Sequence, residues 1–476
     1  MKHLILGLDG LGSESLQAFQ MTHLERLLES GQTANPSVDN VVSRGWPELY
    51  SGQTAAVTGA YFQIPVISKG RITPTQHTGS SVVRNHLGEE TLLWSRLRAE
   101  GNSVGVFGLP TVSEVLPTAE FTFPATGAGV FSSSMKDSPI FPVMASRFAN
   151  YSLNTLGFRI GRGAYLPSNS DDLEMWLRDH LAQFFATLRL FLSSHPVDSL
   201  IVGSRFFTLF YKFRHVFQGD ATDADRELAG VLRSVAEDFD GLLTDFLRQL
   251  DAEHVFVVSD HGVGALRHHV NINELLRRVK LINFRPLWYR LARLGYLSTV
   301  GKVTRGRHSS KVFPTFNLEK SKAFSIGYTD VIYINDSRFT GPRMSPEQRY
   351  AMAADIAEEL TAYCKEHRLE QFVSFTPLMN PGMTTGPERD AHRIPLPDMR
   401  VRLEEGAVNL ERTNRTIVKK NVPYNSTEMF KRGFEAQHSG AKSADTLAAY
   451  IGPNPELVEM ESLTDIYESV VRIARL

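Results

Sequence analysis

Short apolar runs alternate along the chain with longer segments of helical periodicity, and that rhythm suits a sheet clothed by helices better than any all-α or all-β design. His3–Leu8 reads as a first strand closed by Asp9-Gly10, and a helix-like segment runs from Ser13 to Glu29. Ser103–Gly108, Ser199–Val202 and His254–Ser259 read as further strands, followed by Val331–Asn335, Met399–Leu403 and Thr446–Ile451. Between two of them, Asp223–Leu250 has helical periodicity and a helix-favouring composition. The expectation is an α/β fold with a mostly parallel central sheet and helices on both faces, built as a single catalytic domain over residues 1–476.

Two stretches break the rhythm. Pro110–Pro167 is rich in Gly, Ser, Pro, Thr and Phe, and includes the loop-like Ala125-Thr-Gly-Ala-Gly-Val130. It reads as an inserted segment shaping a pocket, a cap drawn over 110–195. Arg267–Lys311 is crowded with Arg and Lys and holds Glu274 as its sole acid. The apolar residues of Leu287–Leu297 fit one helical face, so a basic helical insertion is expected over 265–320. A solvated amphipathic helix is the favoured reading, ahead of attraction to an anionic or membrane surface.

Charge narrows the partners. Lys and Arg total 51 against 52 Asp and Glu, so no global electrostatic argument for nucleic acid arises. Cys364 is the single cysteine, which excludes an internal disulfide and a cysteine-ligated zinc cluster. It sits in the helix-like Thr361–Glu366 segment and reads as a packed core residue. The N-terminal apolar run is cut by Asp9, and no stretch approaches the roughly 20 apolar residues of a membrane span. A soluble, cytoplasmic protein is expected, with the oligomeric state open.

The strongest chemical signal is Val257-Val-Ser-Asp-His-Gly-Val-Gly264. An apolar strand delivers Asp260 and His261 side by side at its C-terminal end, where open α/β sheets place their ligand sites. Alone, the pair is read more simply as a polar turn. Leu4-Ile-Leu-Gly-Leu-Asp-Gly10, however, ends a second strand in a second carboxylate, Asp9. Together they offer the oxygen and imidazole donors that a divalent cation takes from several strands.

At this point the chain resembles the type I phosphodiesterase/nucleotide pyrophosphatase branch of the alkaline phosphatase superfamily. The resemblance rests on Gly7-Leu-Asp-Gly10 and Ser259-Asp-His-Gly-Val-Gly264, with Gly108-Leu-Pro-Thr111 between them. It continues through Val270-Asn-Ile-Asn-Glu-Leu-Leu276, Ser321-Lys-Ala-Phe324 before Val331-Ile-Tyr-Ile-Asn335, and Leu396-Pro-Asp-Met399. Gln437-His-Ser-Gly440 before Thr446-Leu-Ala-Ala-Tyr-Ile-Gly452 completes the series. The order of these landmarks along nearly the whole chain is what makes the match specific.

The resemblance implies an alkaline-phosphatase-like fold and a metal-dependent hydrolase cleaving a phosphodiester or related phosphoester of a small substrate. It implies that Asp9, Asp260, His261 and a Ser or Thr nucleophile serve one divalent metal ion, zinc first and manganese second. Ser43, in Ser43-Arg-Gly-Trp-Pro-Glu-Leu-Tyr-Ser-Gly52, fits the nucleophile best, just ahead of a helix that admits Pro47 in its first turn. A helix-capping serine is the plainer reading, and Thr54 and Thr58 stand in reserve. Arg44 is a candidate for steadying phosphoryl oxygens, with a surface salt bridge an equal alternative.

A second metal would use an Asp-x-x-x-His motif and a distant histidine. His438 fits the latter and His215 the former, but Tyr211 stands where the Asp belongs. One or two ions per chain are therefore expected. Neither a P-loop nor the Cys/Ser-x-Pro-x-Arg motif of sulfatases occurs. A phosphomonoesterase or phosphomutase, and a catalytically impaired phospho-ligand-binding homologue, remain as alternatives.

Overall fold

The computed structural model describes the chain except residues 38–44, 59, 62–63, 69–70, 76–79, 113–114, 124–166, 284–316, 328, 379–394, 410–415, 423–424 and 433–438. Where a single domain was expected, its contacts divide it into two compact units. The first holds Met1–Ala60, Gly79–Leu266 and Val422–Leu476; the second holds Tyr61–Thr78 and Arg267–Asn421.

Among the described residues the first unit holds nine strands: β1 (His3–Leu8), β2 (Gln32–Ala34), β3 (Val104–Phe107), β4 (Phe121–Phe123), β5 (Ser199–Ser204), β6 (His254–Val258), β7 (Gly262–Ala265), β8 (Gly440–Ser443) and β9 (Ala448–Ile451). Seven of them form one sheet in the order β2-β9-β6-β1-β5-β3-β4. From β6 to β4 every pairing is parallel, while β9 runs antiparallel to β6 and β2. The mixed α/β architecture with a mostly parallel sheet is thus present.

Side chains of adjacent residues leave opposite faces of a strand, and each face has its own core. Leu4, Leu6 and Leu8 enter one apolar cluster, which the helices Ser170–Ser194 and Asp223–Leu250 line with Leu181, Phe185, Leu232 and Phe239. Ile5, Ile201 and Phe256 enter the other, with Trp46, Trp94 and Leu463 from helices Gly45–Ser51, Leu93–Ala99 and Leu463–Ile473. Strands buried on both faces read as unbroken apolar runs, which is why β1, β5 and β6 are legible in the sequence.

Three expectations need adjustment. The segment from Ser13 to Glu29 is two helices, Ser13–Phe19 and Thr22–Glu29, parted where Gln20 turns left-handed at φ 58°. Asp240 accepts the His23 and Leu24 backbone N–H groups at 2.8 and 2.9 Å, capping the second helix. The cap drawn over 110–195 is partly core, because Leu173, Leu177 and Phe184 on Ser170–Ser194 are buried against the sheet; residues 124–166 lie outside the described residues. Val331–Ile334 and Met399–Leu403 are strands of the second unit rather than of the central sheet.

That second unit carries a four-stranded antiparallel sheet in the order Ala323–Ser325, Val331–Ile334, Met399–Leu403, Val373–Pro377. A helix, Pro346–Glu366, buries Cys364 as a core residue, and burial pushes its thiol up to about 11. Arg338 bridges the buried Asp336 and Asp398 at 2.8 and 2.7 Å. Of the basic insertion, the helix Ile272–Arg278 is described, with Arg277 and Arg278 paired to Glu274; residues 284–316, including the amphipathic stretch, lie outside the described residues. Among the described residues no helix is long and apolar enough to cross a membrane.

Candidate metal centre

Parallel register assembles the site. β1 pairs with β6 so that His3 faces His254 and Gly7 faces Val258, an alignment that carries Asp9 opposite Asp260 just past the strand ends. On its other side β1 pairs with β5, Leu8 facing Ser204, and the ladder continues as the Asp9 N–H donates to Ser204 O at 2.9 Å. Arg205, Asp9 and Asp260 therefore stand in one row across adjacent parallel strands, roughly 4.8 Å apart. The row lies at the C-terminal edge of the sheet, where such folds bind ligands.

His261 is held by the turn that follows. Its Nδ1 donates to Gly262 O at 2.8 Å, while Ser259 Oγ donates to His261 O at 2.7 Å. With Nδ1 carrying that proton, Nε2 presents its lone pair. It points at Asp9 Oδ1 and Asp260 Oδ2, 3.2 and 3.5 Å away. Three donor atoms from Asp9, Asp260 and His261 lie within 4.8 Å of one another, all on buried residues. Among the described residues no other such group occurs.

The chemistry of this set fits a cation. Both Asp260 carboxylate oxygens and His261 Nε2 are buried without a hydrogen-bond partner, a costly arrangement unless something positive sits between them. Ligands about 2.1 Å from a tetrahedral ion lie about 3.4 Å apart, close to the spacings found.

Electrostatics point the same way. Burial, reinforced by the charge of Asp9, pushes Asp260 up to about 6 against the opposing pull of His261. Burial also acts to raise Asp9, but the neighbouring His261 ring and the Arg205 guanidinium outweigh it and hold Asp9 well below the usual carboxylate range. Two further cations meet the cluster: Arg205 Nε lies 3.3 Å from Asp9 Oδ2, and Lys442 Nζ lies 3.7 Å from Asp260 Oδ2. Lys442 comes from β8, whose pairing with β7 sets Lys442 opposite Val263, next to the Asp-His turn.

Close backbone packing frames the turn. A Cβ on Gly262 would fall 1.9 Å from Asp445 O, and one on Gly45 would fall 2.5 Å from Asp260 Cβ. Gly45 opens the helix Gly45–Ser51, so the start of that helix is pressed directly against a proposed ligand.

Of the residues singled out in the sequence, Asp9, Asp260 and His261 come together. Ser43, Arg44 and His438 lie outside the described residues. Thr58 is fully buried, its hydroxyl accepting the Ala60 N–H at 3.1 Å, while Thr54 is exposed. His215 is buried beside a different carboxylate, with Nε2 3.8 Å from Asp225 Oδ1. Arg205 and Lys442 were missed. Arg205 ends an apolar strand as Asp9 and Asp260 do, but only strand order reveals that its row is theirs.

A model of the type I phosphodiesterase / nucleotide pyrophosphatase family matches residues 3–314, more than half of the chain. The chain belongs to that family. Its members are type I phosphodiesterases and nucleotide pyrophosphatases. Among solved structures, the chain is similar to murine ectonucleotide pyrophosphatase/phosphodiesterase 5, with 12% identity, a TM-score of 0.48 and coverage of 100% of this chain and 95% of that one. It is similar to phosphonoacetate hydrolase from Sinorhizobium meliloti 1021 in complex with phosphonoacetate, at 13% identity and TM-score 0.44, covering 100% and 96%. A mutant of the alkaline phosphatase PafA aligns at 12% identity and TM-score 0.46, covering 98% and 95%. No curated protein matches the sequence.

Proposed function

We propose that this family member hydrolyses a phosphodiester, or a related phosphoester, of a small substrate, with Ser43 as nucleophile and a divalent cation held by Asp9, Asp260 and His261. The observation that carries the reading is the cluster of buried oxygen and nitrogen donors at the sheet edge, three of whose atoms have no hydrogen-bond partner. Zinc is the first choice and manganese the second, because imidazole and carboxylate donors are mixed. When bound, such an ion supplies positive charge to the phosphoryl oxygens and to the attacking hydroxyl.

The chain's own groups do the rest. The Nδ1 contact with Gly262 O fixes the His261 ring, so that Nε2 stays aimed at the carboxylates. The described part of that segment begins at Gly45, which opens the helix Gly45–Ser51 against Asp260. Ser43 Oγ would displace the leaving alcohol in line, and water would then free the serine from its phosphoryl ester. Arg44, with a planar fork of donors, would hold two non-bridging oxygens.

Turnover of bis-p-nitrophenyl phosphate and p-nitrophenyl phosphate, with zinc or manganese and after chelation, tests the reading. Faster diester cleavage that chelation abolishes is the expected result. Preference for the monoester would make the protein a phosphatase. Absence of both turnover and bound metal would instead leave a phospho-ligand-binding role.

A further inference from the structure

We propose that this centre takes one divalent cation per chain, and that Arg205 and Lys442 supply the remaining positive charge around the phosphoryl group. The inference rests on the phosphoester-hydrolase reading and narrows it.

The row formed by parallel register is the first argument. Arg205 stands beside Asp9 as Asp260 does on the other side, and its guanidinium lies 3.3 Å from the Asp9 carboxylate. Lys442 brings an ammonium 3.7 Å from Asp260 out of an unrelated part of the chain. Neither side chain is sealed off: Arg205 keeps 30% and Lys442 19% of its side-chain surface, against 7% and 1% for their acidic partners. Each can therefore hold a carboxylate with one edge and offer the other to an incoming anion. A guanidinium fork suits two phosphoryl oxygens, and an ammonium suits one.

Charge balance is the second argument. Asp9 and Asp260 are offset by Arg205 and Lys442, so the described site is neutral before any ion arrives. One divalent cation leaves an excess of two positive charges, which an orthophosphate dianion cancels and a phosphodiester monoanion halves. A second would leave four in a cluster whose carboxylates are buried, where uncompensated charge is expensive.

The third argument comes from the place where a second ion would be sought. In the Asp-x-x-x-His pattern that the resemblance implies, Tyr211 stands four residues before His215 where the pattern needs a carboxylate. The carboxylate that folding does bring to His215, Asp225, is already committed. Its Oδ1 accepts the Ser426 N–H at 2.8 Å, and its Oδ2 accepts the Thr222 N–H and hydroxyl at 3.0 and 2.6 Å, capping the helix Asp223–Leu250. A metal there would compete with a helix cap.

Two measurements on the full chain test this. Metal analysis after equilibration with zinc or manganese and desalting should give one ion per chain for wild type. Lys442→Met and Arg205→Met should also give one. Calorimetric titration of the metal-loaded protein with orthophosphate should show affinity falling about tenfold or more in each Met variant, the loss expected for one charge-assisted contact. Lys442→Arg should restore most of it, which a merely structural lysine would not do. Two ions per chain in wild type, or unchanged phosphate affinity in both Met variants, would overturn the inference while leaving the hydrolase reading intact. No bound metal under either condition would overturn the metal-centre reading itself. Should a Met variant fail to fold, the wild-type stoichiometry and Lys442→Arg still decide.

Discussion

Removing the charge of Asp260 should make the metal-free protein more stable and the metal-exposed protein less so. Asp260 is buried with neither carboxylate oxygen hydrogen-bonded, and its proton affinity is raised from the ordinary value of 3.8 to about 6. At about 1.4 kcal/mol for each tenfold change in affinity, ionising it in the folded state costs about 3 kcal/mol more than in the unfolded chain. The sign follows from the direction: the folded state binds this proton more tightly, so the contribution is fully present below pH 3.8 and is lost as pH rises through about 6.

Asn has the same shape without the charge. It does, however, leave Lys442 with only Asp9 to balance its partly buried ammonium, which offsets part of the gain. The expected net effect of Asp260→Asn at pH 7.5 in EDTA is therefore a stabilisation of about 1–3 kcal/mol, read by urea unfolding. The advantage should shrink to nothing near pH 4. Zinc at a hundredfold excess over its dissociation constant should stabilise wild type by about 2.7 kcal/mol and leave the variant unmoved. A variant less stable than wild type in EDTA at pH 7.5 would refute the reasoning, since it would mean that the carboxylate is well paired without a metal.

Other outcomes follow from the same geometry. Gly45→Ala places a methyl group 2.5 Å from Asp260 Cβ and should weaken metal binding, costing about 1–3 kcal/mol by overpacking; loss of the zinc-induced thermal shift is the measurement. Ser43→Ala should cut metal-dependent diester turnover at least about a thousandfold with metal content unchanged, whereas full activity would move the role to the exposed Thr54. Asp240→Ala strips the cap from Thr22–Glu29 and should cost about 1–2 kcal/mol, with faster amide exchange at His23 and Leu24.

How far the sequence carries the argument depends on the kind of interaction. β1, β5 and β6 are legible because strands buried on both faces must be apolar throughout, and Asp223–Leu250 is legible because its helical periodicity and composition are local. Asp9, Asp260 and His261 are legible jointly: either strand end alone reads as a polar turn, but two apolar runs ending in such groups offer the donors of one cation site. The start of the second helix is not visible in the same way, since the carboxylate that caps it is Asp240, more than two hundred residues distant.

Arg205 and Lys442 illustrate the limit most clearly. Lys442 is an ordinary cation in its own segment, and Arg205, though it follows an apolar strand, carries no sign of which strands lie beside it. Arg205 acquires meaning only once β5 lies parallel to β1, and Lys442 only once β8 lies against β7. The sequence alone determined the class of fold, the strand that ends in Asp9 and the strand that ends in Asp260-His261, because burial and periodicity act over a few neighbouring residues. Strand order and register, which tertiary packing sets, decided which distant charges face those ligands, because Coulomb forces depend on distance in space and not along the chain.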